Sequence, residues 1–264
     1  MSRIRASLAL CALPLVAHQL FIMPSSFYVS NGERITVGLH NGDSFPDSEG
    51  PPSLERLRDV TVHTAKLQYN VTNLRVDGNR VVGDARIPAK GTLVISARTV
   101  PNFIELPAEA FEKYLKEEGM SQVVEWRKQN GETANAGREL YSKYVKALVR
   151  SGSGDESYAK PVGLAIELVP EKDPYSLKVG ERMPVRLLWR GKPAAGVMVE
   201  SARSGANGPA ESQAVGRTGA DGRVQVFLSA AGKWRLNAIA IERHADRDKA
   251  DWETFWASLT FEIR

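Results

Sequence analysis

The sequence predicts a mainly β protein with two antiparallel β-sandwich parts and a short helical insertion between them. Short apolar or alternating segments separated by turn residues recur through the first hundred residues and again through the last hundred. That spacing favours antiparallel sheets over strand–helix alternation. Only residues 108–150 carry apolar side chains at helical spacing, which predicts the insertion. The division is therefore an N-terminal sandwich over 18–107, the insertion over 108–150, a linker over 151–160 and a second sandwich over 161–264.

Residues 1–17 have the pattern of a secretory signal peptide. Arg3 and Arg5 precede an apolar run from Ala6 to Val16, and the small residue Ala17 ends it. The run is too short to span a membrane, which takes about 20 residues. We expect cleavage between Ala17 and His18 and a periplasmic location. We also predict that the chain is not an integral membrane protein.

Cysteine usage and charge exclude several classes of function. Cys11 is the only cysteine of the chain and lies within the predicted signal, so the processed protein would have no disulfide and no thiolate ligand. Loss of Arg3 and Arg5 lowers the formal net charge from +4 to +2. No run of basic residues is interleaved with aromatic ones, so we predict no binding of nucleic acid.

The N-terminal part reads as a series of short strands between turns, the spacing typical of an Ig-like sandwich. A long turn-rich segment from Asn41 to Pro52 separates the first of them from the rest. The predicted strands are Glu33–Leu39, Asp59–Ala65, Asn70–Val76, Arg80–Ile87 and Gly91–Thr99.

Three helices are expected in the insertion. Phe111, Tyr114 and Leu115 recur at helical spacing in the first, and Gly119 is a suitable terminator. In the third, an apolar stripe runs from Leu140 to Leu148. The predicted helices are Ala108–Glu118, Ser121–Gln129 and Gly137–Arg150.

Strands resume after the Ser- and Gly-rich linker. The segment Thr218–Gly222 has the Asp-Gly pair of a hairpin turn. The predicted strands are Gly163–Val169, Met183–Trp189, Gly196–Ser201, Arg223–Leu228, Trp234–Ile241 and Trp256–Ile263.

The second part resembles a prealbumin-like or carboxypeptidase-regulatory-like β-sandwich. The residues that carry the resemblance are Gly191–Val197, Thr218–Arg223 and Ala231–Leu236, where glycines bracket the turns between strands. The resemblance concerns the fold and implies nothing about function.

The whole chain is similar to a family of secreted bacterial domains of unknown function that is described as nickel-uptake-transporter-related. The matching stretches are His18–Phe21, Pro24–Phe27, Gly42–Pro46, Phe103–Pro107, Phe111–Gly119, Tyr141–Val149, Asp173–Tyr175, Asp251–Glu253 and Trp256–Phe261. The resemblance implies a role in metal uptake. The chain departs from the family at Gln19, where an acidic residue is usual, and at Ala240–Ile241, where relatives often carry His-Met.

A candidate metal site begins at His18. As the first residue after cleavage it would offer an α-amine and an imidazole, and a second imidazole from His40 would complete a three-nitrogen site suited to Cu(II) or Ni(II). Asp43 and Asp47 are possible oxygen donors, and Glu49 lies close enough in sequence to be another. The alternative is that His18 is a frayed terminus and His40 a polar loop residue.

Other candidates favour structural roles. His63 is expected to pair across the sheet and His244 to lie at a solvated hairpin tip. Trp126, Tyr141 and Tyr144 are expected in the core, with a ligand groove between insertion and sandwich as the alternative.

No nucleophile elbow, phosphate loop or zinc-protease motif is present, so we predict no enzyme. The sequence therefore predicts an accessory protein that binds or delivers nickel or copper. An interaction module for a membrane transporter, a receptor or a carbohydrate is the chief alternative, and a copper-dependent oxidative protein is a third.

Overall fold

The computed structural model describes residues 18–204 and 212–264. The predicted signal peptide, residues 1–17, lies outside the described residues. The strands of the first part are Leu20–Pro24 (β1), Tyr28–Val29 (β2), Arg34–Asn41 (β3), Leu57–His63 (β4), Gln68–Asn70 (β5), Thr72–Asp77 (β6), Arg80–Arg86 (β7), Gly91–Thr99 (β8) and Asn102–Leu106 (β9).

Two helices, Ala108–Glu117 (α1) and Ser121–Gln129 (α2), follow β9. The later strands are Gly137–Ser151 (β10), Ile166–Pro170 (β11), Arg182–Trp189 (β12), Lys192–Pro193 (β13), Met198–Ser204 (β14), Gln213–Arg217 (β15), Arg223–Phe227 (β16), Gly232–Arg243 (β17) and Trp252–Ile263 (β18). The predicted fold class, mainly β with antiparallel sheets and a short helical insertion, is confirmed.

The described strands form three sheets. A four-stranded sheet has the order β1-β3-β7-β6, and a second four-stranded sheet combines β11, β12, β13 and β16. Between them lies a ten-stranded sheet of order β15-β14-β17-β18-β10-β8-β4-β5, with β2 and β9 also paired to β10. This sheet takes strands from both predicted sandwich parts.

The strand β10 joins the two parts and corrects the prediction of a third helix over Gly137–Arg150. It pairs with β18 in parallel and with β8 and β9 in antiparallel fashion. Val145 and Val149 face one core, whereas Tyr144 and Leu148 face another. A strand buried on both faces lacks the alternation that identifies a half-buried strand, so its apolar residues matched a helical stripe by chance.

Two further predictions can be compared with the structure. The helices α1 and α2 are confirmed, and Gly119 ends α1 with the positive φ of +70° that favours glycine. The turn over Thr218–Gly222 exists, but it is not a hairpin. It connects β15, which pairs with β14, to β16, which pairs with β12 in another sheet.

Three apolar clusters hold the layers together. One lies between the β1-β3-β7-β6 sheet and the β4-β8-β10 region, and one lies between β11-β12-β16 and the β14-β17-β18 region. The third is aromatic and lies under α1 and α2, with Phe111, Tyr114, Trp252 and Trp256 as its centre. Neither helix of the described residues has the length and apolar content needed to cross a membrane.

The segment predicted as a linker, residues 151–160, is held against the large sheet. Asp155 accepts hydrogen bonds from the backbone N–H of Ser157 at 2.9 Å and from that of Thr92 at 3.3 Å. The first of these caps a short 3-10 helix over Glu156–Ala159. The second attaches the segment to β8.

Candidate metal centre

Three side chains that can bind a metal converge where β1 begins. The Nδ1 atom of His18 lies 3.0 Å from Oδ2 of Asp43 and 3.3 Å from Oε2 of Glu49. These are the described residues whose metal-binding atoms all lie within 4.8 Å of one another. The side chains are 41%, 51% and 42% exposed, so an ion can reach them from solvent.

In each carboxylate, the oxygen that does not face His18 accepts a hydrogen bond from the backbone. Oδ1 of Asp43 accepts a hydrogen bond from the backbone N–H of Gln19 at 3.1 Å. Oε1 of Glu49 accepts one from the backbone N–H of Asp43 at 2.9 Å. The remaining oxygens point at His18, because these hydrogen bonds to the backbone fix the orientation of both carboxylates.

The pairing of β1 with β3 explains why residues 25 positions apart meet. Leu20 lies opposite Asn41, so the residues before β1 run beside those after β3. The backbone N–H of Gly42 donates to the carbonyl oxygen of Gln19 at 3.0 Å and continues the ladder. A Cβ at Gly42 would lie 2.9 Å from the carbonyl oxygen of Asp47, so only glycine lets the loop fold back this closely.

Lys143 of β10 contacts the backbone of His18. Its Nζ donates to the carbonyl oxygen of His18 and to Oδ1 of Asn41, the latter at 3.4 Å. The rings of Tyr141 and Trp256 lie 5.7 Å from the ammonium. Burial is the main cause that lowers the pKa of Lys143 to about 7, and Arg56 lowers it further.

Arg235 of β17 anchors the loop that carries Asp43. It is buried and donates to the carbonyl oxygens of Gly42 at 3.2 Å and Asp43 at 3.3 Å. Its guanidinium also lies over the rings of Phe21 and Phe45, at 5.1 and 5.4 Å. Burial lowers the pKa of Arg235 to about 10, which leaves it charged at neutral pH.

The carboxyl of Glu118 is close enough to this loop for the charge of Asp43 to affect its pKa. Burial, followed by the charges of Glu200 and Asp43, raises the pKa of Glu118 to about 8. Glu118 is therefore mostly neutral at pH 7. It adds no full negative charge beside Asp43.

The structure brings together only part of the predicted metal site. His18 and Asp43 meet, and Glu49 joins them. His40 and Asp47 instead line a separate cleft with Pro46 and Arg80. The His40 ring packs on Phe21, with ring centroids 5.4 Å apart.

The remaining candidates have structural surroundings. Nε2 of His63 lies 2.8 Å from the hydroxyl of Ser96 on the neighbouring strand, and His244 receives a hydrogen bond at Nδ1 from the backbone of Asp246. Trp126 and Tyr141 pack in the aromatic cluster under the helices, whereas Tyr144 packs on the opposite face of the sheet. These three aromatic residues therefore do not line one groove.

Sequence reasoning missed Lys143 and Arg235. Both come from strands far along the chain, and Lys143 lies in the segment predicted as a helix. The available signal was a single basic residue inside an apolar strand, as in Trp234–Ile241, since a buried charge must find partners.

Comparison with known proteins adds a family and distant structures. The model of a family described as a domain of unknown function (DUF4198) matches residues 15–242. No curated protein matches the chain.

Solved structures match at low similarity. They include the D0-D1 domain of intimin, at 12% identity over 93% of this chain and 98% of that one, with a TM-score of 0.21. FdeC, described as an Escherichia coli adhesin, matches at 14% identity over 94% and 64%, with a TM-score of 0.21. Three N-terminal domains of the bacteriophage RB49 outer capsid protein Hoc match at 9% identity over 92% and 59%, with a TM-score of 0.20. Similarity at this level carries no argument about function.

Proposed function

The chain belongs to the DUF4198 family of domains of unknown function, and we propose that it is a non-enzymatic periplasmic accessory protein that binds or delivers Ni(II) or Cu(II). The metal binds at His18, Asp43 and Glu49. The observation that supports this is the convergence of His18 Nδ1 with one oxygen of each carboxylate, at 3.0 and 3.3 Å.

The choice of ring nitrogen supports the predicted chelate. An N-terminal histidine can close a chelate ring through its α-amine and its Nδ1 atom, and Nδ1 is the nitrogen that faces the two carboxylates. After cleavage between Ala17 and His18, the donors would be two nitrogens and two oxygens. Mixed nitrogen and oxygen donors in a tetragonal arrangement suit Cu(II) and Ni(II). The resemblance to nickel-uptake-related domains is the reason to name nickel beside copper.

The exposure of the site suits transfer of the metal. All three side chains are about half exposed, so a partner can approach the ion directly. Structural metal sites, by contrast, close their coordination within the protein. Without a metal, the same three groups would be only an exposed polar cluster, and exposed pairs of this kind contribute about 0–1 kcal/mol to stability.

The test uses protein recovered from the periplasm, with its first residue determined by intact mass. Cu(II), Ni(II) and Zn(II) are titrated into this protein, into His18→Ala and into a chain that retains Ala17. We expect Cu(II) or Ni(II) to bind the processed chain, and both altered chains to lose most of the affinity because the amine–imidazole chelate is gone. Equal affinity in all three, or no binding by a chain that begins at His18, would exclude the metal function and leave the interaction module for a transporter, receptor or carbohydrate.

A further inference from the structure

The cleft around His40 lies apart from the cluster of His18, Asp43 and Glu49. One cavity of about 470 Å³ lies between His40, the loop residues Pro46–Ser48 and the turn Asp77–Arg80. An adjoining cavity of about 480 Å³ shares His40 and Arg80 and extends to Arg75 and Lys233. Volumes of this size accommodate small-molecule ligands.

Basic side chains from three strands line this cleft. Arg75 comes from β6, Arg80 from β7 and Lys233 from β17. Two carboxylates, Asp47 and Asp77, line it as well. Asp77 accepts from Arg80 at 3.1 Å, which uses one side of the guanidinium and leaves other N–H groups to a ligand. Arg75 lies 3.6 Å from Asp84, which offsets its charge, so Arg80 and Lys233 are the basic groups that the cleft offers to an anion.

His40 forms an inner wall of the cleft. Its Nδ1 atom is buried and has no hydrogen-bond partner among the described residues. Burial is the main cause that lowers the pKa of His40 to about 4, and the charge of Arg80 lowers it further, whereas the backbone of Pro46 and the charge of Asp47 raise it. The imidazole is therefore neutral at pH 7 and can donate one N–H.

We propose that this cleft binds the carboxylate or phosphate group of a small molecule through Arg80 and Lys233, with the His40 ring as a further hydrogen-bonding group in its wall. Guanidinium and ammonium groups are the usual partners of such oxyanions. The site is separate from the cluster at His18, and its ligand has the opposite charge.

The test is calorimetric titration of metal-free protein with inorganic phosphate and with succinate at low salt. We expect binding of at least one probe, and a loss of about tenfold for each charge-assisted hydrogen bond removed in Arg80→Gln/Lys233→Gln. Arg86→Gln is the matched control, because Arg86 lies on the same strand as Arg80 but outside this cleft. His18→Ala must retain the anion binding, which separates this proposal from the metal function.

A second readout follows the ring of His40 by NMR. A bound anion opposes the charges of Arg80 and Lys233, so the pKa of His40 must rise when the probe is added. No binding of either probe at millimolar concentration, or binding that is unchanged in the double variant, would overturn the proposal. A rise in the His40 pKa that also occurs in the double variant would overturn it too.

Discussion

The Nζ atom of Lys143 donates a hydrogen bond to the carbonyl oxygen of His18, a residue 125 positions earlier in the chain. This contact links the central strand β10 to the residue at which we propose that the processed chain begins. A chain terminus is ordinarily poorly ordered unless something holds it. Lys143 therefore acts as a positioning residue for the proposed metal site.

The first prediction concerns Lys143→Met. Methionine keeps most of the side-chain volume between Tyr141 and Trp256 but cannot hold the His18 carbonyl. We expect metal affinity to fall by roughly three- to tenfold, equivalent to the loss of one hydrogen bond of about 1 kcal/mol. Nickel titration measures this, and Lys192→Met on an exposed strand is the control. An affinity equal to that of the wild type would show that His18 is held by its carboxylate partners alone.

The second prediction concerns Arg235, which supports the loop rather than the terminus. Arg235→Met leaves the carbonyl oxygens of Gly42 and Asp43 without their donor in a buried place. We expect the free energy of unfolding to fall by about 2–4 kcal/mol, measured by urea denaturation, and metal affinity to fall with it.

Arg235→Lys is the matched variant. It keeps the charge over the rings of Phe21 and Phe45 but cannot reach both carbonyl oxygens with a planar fork. We expect it to recover only part of the stability. Full recovery would mean that charge, and not the pair of hydrogen bonds, is what the loop requires.

The third prediction concerns Glu139, a buried carboxyl that no basic side chain pairs with among the described residues. Burial raises its pKa from 4.5 to about 7, against the lowering effect of hydrogen bonds from Thr254 and Tyr114. Between these pH values the unfolded chain releases a proton that the folded chain retains. The contribution of Glu139 to stability is therefore complete below pH 4.5 and is lost as pH rises through 7.

Glu139→Gln removes this dependence, because its amide cannot ionise. As the pH rises from 4.5 to 8, the unfolding free energy of the variant minus that of the wild type should increase by roughly 3 kcal/mol. Urea denaturation of both proteins at several pH values measures the difference, in which the titration of all other groups cancels. A difference that does not change with pH would contradict the prediction.

The fourth prediction concerns the buried ion pair between Lys146 and Glu167, each 2% exposed, with Nζ and Oε2 3.0 Å apart. Glu167 also accepts hydrogen bonds from the backbone N–H groups of residues 162, 163 and 164. Glu167→Gln leaves the Lys146 ammonium without a counter-charge and should cost about 3–5 kcal/mol. Adding Lys146→Met should recover part of that loss, and strict additivity of the two changes in denaturation experiments would exclude the coupling.

Local sequence determined much of the fold but not its centre. Half-buried strands such as β3 and amphipathic helices such as α1 show the periodicity of their exposed face, so their positions could be predicted. The central strand β10 is covered on both faces and shows no such period. Its partners, β8 and β18, are also distant in sequence, and pairing between distant strands leaves no local pattern.

The candidate site was partly predictable, because some of its residues lie in segments with a local sequence pattern. His18 was found because it follows the predicted cleavage site, and Asp43 because it lies in the turn-rich segment that starts directly after His40. His40 was misplaced because β3 extends to Asn41, and neighbouring residues of a strand point to opposite faces. Since the amide of Asn41 reaches Lys143 beneath His18, the ring of His40 must point away from it.

The fifth prediction separates the two aspartates that the sequence proposed together. Asp43→Asn replaces the oxygen that faces His18 by a group that carries no charge, while its partner oxygen can still accept from Gln19. We expect this variant to lose metal affinity by at least about tenfold, since carboxylate ligands must be charged to bind divalent ions well.

Asp47→Asn removes the same charge from the same loop, but Asp47 lies in the cleft of His40 and outside the cluster. Its nickel or copper affinity should remain within about twofold of the wild type, in the range that screened surface charges produce. Titration of both variants under one set of conditions decides the point. Equal losses would show that the metal responds to the total charge of the loop, and a larger loss in Asp47→Asn would move the ligand set towards His40.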